Sequence, residues 1–252
     1  MPRIGATIGV GEDVLHAIMD VEAPKSGFDG QGRPRILFDP HIFYRELGEG
    51  AERDAAVKQG LAYASWKLGT YGKESEQYGK LERAMKIDAN AALRSCSWGR
   101  GQIMGFNHAL AGYPNAEAMV TAFAASEASQ IQGIVRFMAS KKLDVHLRKI
   151  DQLKQPSTPY DWRPVAAGYN GSGYAQNGYH TKLAQRHNFW REIPDTPWSH
   201  DLPSPANTSD AVPVEDLPKA PAPPLDPPPA VIVRDEPTKP TLMQRLARIF
   251  GA

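Results

Sequence analysis

Apolar positions along most of this chain recur with a helical rather than an alternating period. In "EDVLHAIMDVE", Val14, Leu15, Ile18 and Val21 fall at i, i+1, i+4 and i+7 and share one helical face. Pro24 and Gly27 then end the pattern. "FYRELGEGAERDAAVKQGLAYASWKLG" and "SEQYGKLERAMKIDANAALRSC" each read as a helix, the second running into the Gly-rich "SWGRGQIMG". The strongest helical run is "NAEAMVTAFAASEASQIQGIVRFMASKKL", apolar at Met119, Val120, Phe123, Ile131, Ile134, Val135 and Met138, which fits two helices or one long bent one. The best extended segment is the short "RPRILFD", Arg33 to Asp39. The pattern predicts an all-α, or mainly α, domain with short connections.

After Ile193 the text changes. Fourteen prolines lie between Pro194 and Pro240, a composition that cannot sustain helix or ladder hydrogen bonds and predicts an extended, disordered linker. In the final "TLMQRLARIFGA", Leu242, Leu246, Ile249 and Phe250 recur at i, i+4, i+7 and i+8 beside Arg245 and Arg248. Such a helix, about 18 Å long at 1.5 Å per residue, is too short to span a bilayer. It suits an anionic membrane surface or a docking site. The expected organisation is a domain over 1–194, a linker over 195–240 and an amphipathic helix over 241–252.

Composition narrows this picture only in places. A length of 252 residues is enough for one domain with a real core and an appendage. Residues 1–193 carry 24 Lys/Arg against 20 Asp/Glu, a mild excess that fits an anionic partner, while the net charge of +1 gives no argument for nucleic acid. One cysteine, Cys96, excludes an internal disulfide and a cysteine-based zinc site; neither a metal nor a cofactor is expected. The first twenty residues lack a charged segment followed by a long apolar run, so synthesis in the cytoplasm without a signal peptide is expected.

Three stretches are richer in polar and glycine residues than packing requires. The first is "AIMDVEAPKSGFDG", where Glu22 stands at the helix break. The second is "SCSWGRGQIMGFNHALAGY", where Ser97, Trp98, Gly99, Gly101 and Gln102 form a turn that lets backbone approach a ligand. The third is "AAGYNGSGYAQNGYHTKLA", where Tyr169 and Asn170 precede Gly171 and Gly173. Aromatic rings interleaved with amides suit a sugar site, the rings facing pyranose faces and the amides facing hydroxyls. Taken singly, each stretch also reads as an ordinary loop or a solvated helix end.

The order of the three resembles the lysozyme-like superfamily that holds goose-type lysozymes and lytic transglycosylases, and more closely the N-acetylmuramidase family of phage endolysins. The resemblance covers roughly residues 10–187 and rests most on the run SWGRGQIMGFN. It implies a two-lobed, lysozyme-like helical domain with a cleft. It also implies cleavage of the β-1,4 bond between N-acetylmuramic acid and N-acetylglucosamine in bacterial peptidoglycan, reached after release across the inner membrane. The family's catalytic Glu carries onto Glu22, as general acid. Ser97, Gln102, Tyr169 and Asn170 would line the cleft, Tyr169 positioning Glu22 or the sugar and Gln102 binding an acetamido or hydroxyl group.

A second carboxylate is less defined. Asp29, seven residues after Glu22, is the nearest candidate and Asp39 another; the substrate's own groups are the alternative. Hydrolysis and transglycosylation therefore both stay open, as does a non-catalytic wall-binding module tethered through the C-terminal helix. Where many family members carry a separate wall-binding domain, this sequence has the proline-rich segment and its cationic end.

Overall fold

The computed structural model describes residues 1–65 and 70–197. The expected amphipathic helix over 241–252, and the expected linker from residue 198 onward, lie outside the described residues.

The chain opens with a short α1, Pro2–Ala6, and then α2, Glu12–Glu22, with the bounds its apolar spacing predicts. Val14, Leu15 and Ile18 are buried, and Val21 packs against the core at its edge. The extended reading of Arg33–Asp39 gives β1, Ile36–Phe38. Asp39 then caps α3, Pro40–Glu46, by accepting from the His41 and Ile42 N–H groups.

The single helix expected next is two. Gly48 and Gly50 have φ of 65° and 138° and break α3 from α4, Ala51–Lys58, because few side chains tolerate that backbone. The following stretch divides as well. A 3-10 turn at Glu74–Glu76 leads into α5, Gln77–Met85, and Asp88 caps α6, Ala89–Arg94, through the Ala91 N–H at 2.7 Å. A cap of this kind is worth about 1 kcal/mol, enough to start a new helix within one apolar pattern.

The Gly-rich stretch that follows is a β-hairpin, β2 Cys96–Trp98 and β3 Ile103–Met104. With β1 it forms a three-stranded antiparallel sheet, order β1-β2-β3, pairing Leu37 with Ser97 and Ser97 with Met104. The strongest helical run is two helices: α7, Ala116–Ala125, and α8, Glu127–Ser140, divided by Ser126, whose backbone is extended and whose hydroxyl caps α8 by accepting from the Ser129 N–H. The chain continues through α9, Asp144–Asp151; α10, Pro159–Asn170; and α11, Tyr179–Trp190.

Packing sorts these elements into two groups that share one continuous core. Helices α1, α2, α9, α10 and α11 pack on one another, whereas α5 and α6 pack on the sheet and α3 and α7 pack on α6. Helix α8, buried along most of its length, touches α1 on one side and α7 on the other. Trp98 and Trp162 anchor the two groups, each fully buried. Truncating either to Ala would cost about 3–5 kcal/mol. The architecture is thus the mainly helical, two-lobed domain expected, with the cleft along the seam between the groups.

Candidate active site

Glu22 is the last residue of α2, and the fold makes ionisation there unfavourable. The helix carbonyl end carries partial negative charge, which opposes a carboxylate. Burial pushes the Glu22 carboxyl above its ordinary value, and the hydrogen bond from Asn170 and the charge of Lys182 only partly offset this. Asn170 Nδ2 donates to Glu22 Oε1 at 2.8 Å, from the last turn of α10. One carboxyl oxygen is therefore fixed, and the cleft faces the group.

That cleft has a volume of about 330 Å³ and is lined by Glu22 and the loop after it, by Arg35 to Leu37, by Gly72, Glu74 and Gln77, and by Gly99, Arg100 and Gln102. Its walls are held from beneath by one buried amide. Gln130, on α8, accepts from the Arg100 N–H at 2.6 Å and donates to the Phe123 and Gly27 carbonyls. Gly27 and Gly99 lie so close to this amide that a Cβ on either would stand under 3 Å from Gln130 Oε1. Arg100 adds a second tie, from Nε to the Ala23 carbonyl at 3.0 Å and from Nη1 to Glu127 at 3.3 Å. Glu127 in turn accepts from the Gly27 N–H at 2.7 Å. The loop after Glu22 is thereby clamped to the hairpin turn.

The hairpin turn is itself strained. Gln102 adopts φ of 48°, unusual for a residue with a side chain. Its amide closes the turn by donating to the Gly99 carbonyl at 2.8 Å and accepting from Ser97 Oγ at 2.7 Å. Tyr169 donates from its hydroxyl to the Gly101 carbonyl at 3.2 Å, joining α10 to the same turn. Gly101 is required there, since a Cβ would fall 2.4 Å from Ile134.

The residues singled out in the sequence thus gather around one seam, with unequal roles. Glu22 and Gln102 line the cleft, Asn170 holds Glu22, and Tyr169 and Ser97 brace the hairpin turn. Asp29 is placed elsewhere. Its Oδ2 accepts from Arg33 Nε and Nη2 at 2.9 and 2.8 Å, its Oδ1 accepts from the Gln31 and Arg33 N–H groups, and it does not line the cleft. Asp39 caps α3 and accepts from the Tyr71 hydroxyl at 2.9 Å, and it too is not among the residues lining the cleft. Among the described residues no cluster of three or more His, Cys, Asp or Glu side chains is arranged to hold a metal.

The family model for N-acetylmuramidase matches residues 12–191, an interval that begins at the first residue of α2 and spans every cleft residue. The chain belongs to the N-acetylmuramidase family. It is similar to the crystal structure of a Burkholderia AP3 phage endolysin, with 33% identity and a TM-score of 0.66 over 76% of this chain and 70% of that one. No curated protein matches. The chain is accordingly a peptidoglycan-degrading muramidase.

Three parts of the muramidase site escaped the sequence reading. Gln130 sits in an apolar helical run, where nothing but its burial in the fold marks it as the support of two loops. Glu74 and Arg35 lie in ordinary charged text, and only the fold brings both to the cleft. The stretch around Tyr169 and Asn170, which reads as a loop, is the end of α10. Pro164 and Gly168 inside that helix are the signals of a break, yet Gly168 packs closely on Leu143, where a Cβ would stand 2.4 Å from its terminal methyl.

Proposed function

We propose that this muramidase acts as a phage-type endolysin that cleaves the β-1,4 bond between N-acetylmuramic acid and N-acetylglucosamine, with Glu22 as the general acid. The observation that carries this reading is the setting of Glu22. A carboxyl at a helix end, raised above its ordinary value by burial and opening on a cleft, holds its proton to higher pH than a solvated glutamate and can pass it to a glycosidic oxygen. A carboxylic acid kept protonated by an apolar pocket serves lysozyme in the same way. Asn170 orients the group, and the turn at Gln102 supplies backbone and amide groups along the cleft for the sugar.

Mass spectrometry of purified sacculi digested by the full chain tests the reading. Fragments ending in reducing muramic acid are expected. Anhydro-muramic ends would replace hydrolysis by transglycosylation, and intact glycan would leave a wall-binding module without catalysis.

A further inference from the structure

The cleft bears a second carboxylate that no sequence motif marks. Of the described side chains lining it, two carry carboxyl groups, Glu22 and Glu74. They come from separate elements, the end of α2 and the 3-10 turn before α5. The Glu74 wall is anchored by Gln77, which is buried, accepts from the Phe38 N–H at 3.0 Å and donates to the Tyr71 and Lys73 carbonyls at 2.6 and 2.9 Å. Lys80 Nζ adds a bond to the Tyr71 carbonyl at 2.7 Å. The loop that presents Glu74 is thus fixed against β1.

Arg35 links the two walls. Its Nη1 pairs with the Glu74 carboxylate, and its Nε donates to the Ser26 carbonyl at 2.9 Å, in the loop that leaves Glu22. The Arg35 backbone is pinned as well, donating to the Gly27 carbonyl and accepting from the Gly99 N–H, both at 2.8 Å. A single guanidinium therefore sets where Glu74 stands relative to the Glu22 loop. Exposed ion pairs contribute little to stability, so this one is poorly explained as a structural bond.

We propose that Glu74 is the catalytic base of the hydrolysis. The assignment rests on the reading of Glu22 as the acid. With its side chain 56% exposed, Glu74 meets solvent, which suits a group that activates water rather than one that attacks the sugar itself. In the step, Glu74 removes a proton from a water molecule whose oxygen forms a bond to C1 of the muramyl residue. The C1–O4 bond breaks, its electron pair goes to O4, and O4 takes the proton of Glu22. Glu74 ends protonated and Glu22 ionised, and exchange of one proton with solvent restores both. Attack from the face opposite the leaving group inverts C1, the outcome for carboxyl pairs that leave room for water, about 6.5–9.5 Å apart.

The test uses full-length Glu74→Gln and Glu74→Gly beside Glu22→Gln, on soluble peptidoglycan fragments. Glu74→Gln is expected to lower kcat about 100-fold or more with an unchanged melting temperature. Sodium azide is expected to restore turnover of Glu74→Gly and to yield an α-muramyl azide, and the first product of the unaltered enzyme, seen by proton NMR, is expected to be the α anomer. Azide restores nothing to Glu22→Gln, which still lacks its acid. Glu74 variants that keep near-normal kcat, absence of azide rescue, or a β-configured first product would each overturn the assignment of the base. Full activity of Glu22→Gln would instead overturn the acid, so the two failures are distinguishable.

Discussion

Glu22, at the end of α2, and Asp29, in the loop that follows, stand seven residues apart and are driven in opposite directions. Glu22 sits at the negative end of a helix, partly buried, with Asn170 as its one hydrogen-bond donor among the described residues, and its carboxyl is raised. Asp29 sits in a tight turn. Burial alone would raise it too, but hydrogen bonds from the Arg33 and Gln31 N–H groups and from the Arg33 guanidinium outweigh this and lower it. One environment keeps a proton available and the other removes it. Proximity in sequence to a catalytic acid therefore says little about a second catalytic carboxylate.

The contrast can be broken by substitution. Glu22→Gln should reduce sacculus clearance about 1000-fold, measured as turbidity loss. It should also raise thermal stability at pH 7. A group whose folded value lies above its unfolded one contributes stability below the unfolded value and loses it as pH rises through the folded one, so removing Glu22 removes a cost present at neutral pH. Asn170→Ala should lower kcat about 10- to 100-fold by releasing the acid from its orientation. Because the Asn170 bond lowers the Glu22 value, its loss should move the basic limb of the pH–rate profile to higher pH.

Asp29→Asn should act the other way, on stability rather than on chemistry. Loss of the paired carboxylate should cost about 1–3 kcal/mol in urea unfolding with kcat little changed. For Asp29 the folded value is depressed, so its contribution is present above the unfolded value and lost as pH falls through the folded one. The gap between wild type and variant should close under acid. Lys182→Met is the mildest change. It should shift the basic limb slightly upward and alter kcat by no more than about twofold, since that charge acts on Glu22 through partly exposed space.

The sequence made α2 legible because its apolar spacing and its Pro24 stop agree, and showed the helical run of α7 and α8 by its apolar period while leaving open whether it was one helix or two, which the Ser126 cap decides. Helix α10 was concealed by Pro164 and Gly168, residues that local rules treat as breaks; Gly168 packs closely on Leu143. The hairpin was concealed for a different reason: strands of three and two residues are too short to show alternation. Within the site, Glu22 was visible because it closes a helix at a Pro/Gly break, and Asn170 because it stands among aromatic rings and glycines. Gln130, Arg35 and Glu74 were not, since their roles arise from contacts between segments distant in sequence, such as Gln130 with Gly27 and Arg35 with Glu74.

The most direct measurement is a carbon-13 NMR titration of the carboxyl groups in the intact chain, with Glu22 and Asp29 assigned through Glu22→Gln and Asp29→Asn. The account predicts that Glu22 titrates above the ordinary 4.5 and Asp29 below the ordinary 3.8 in the same sample. A Glu22 that titrates at or below 4.5 would leave the helix end without its proton donor and would contradict the account.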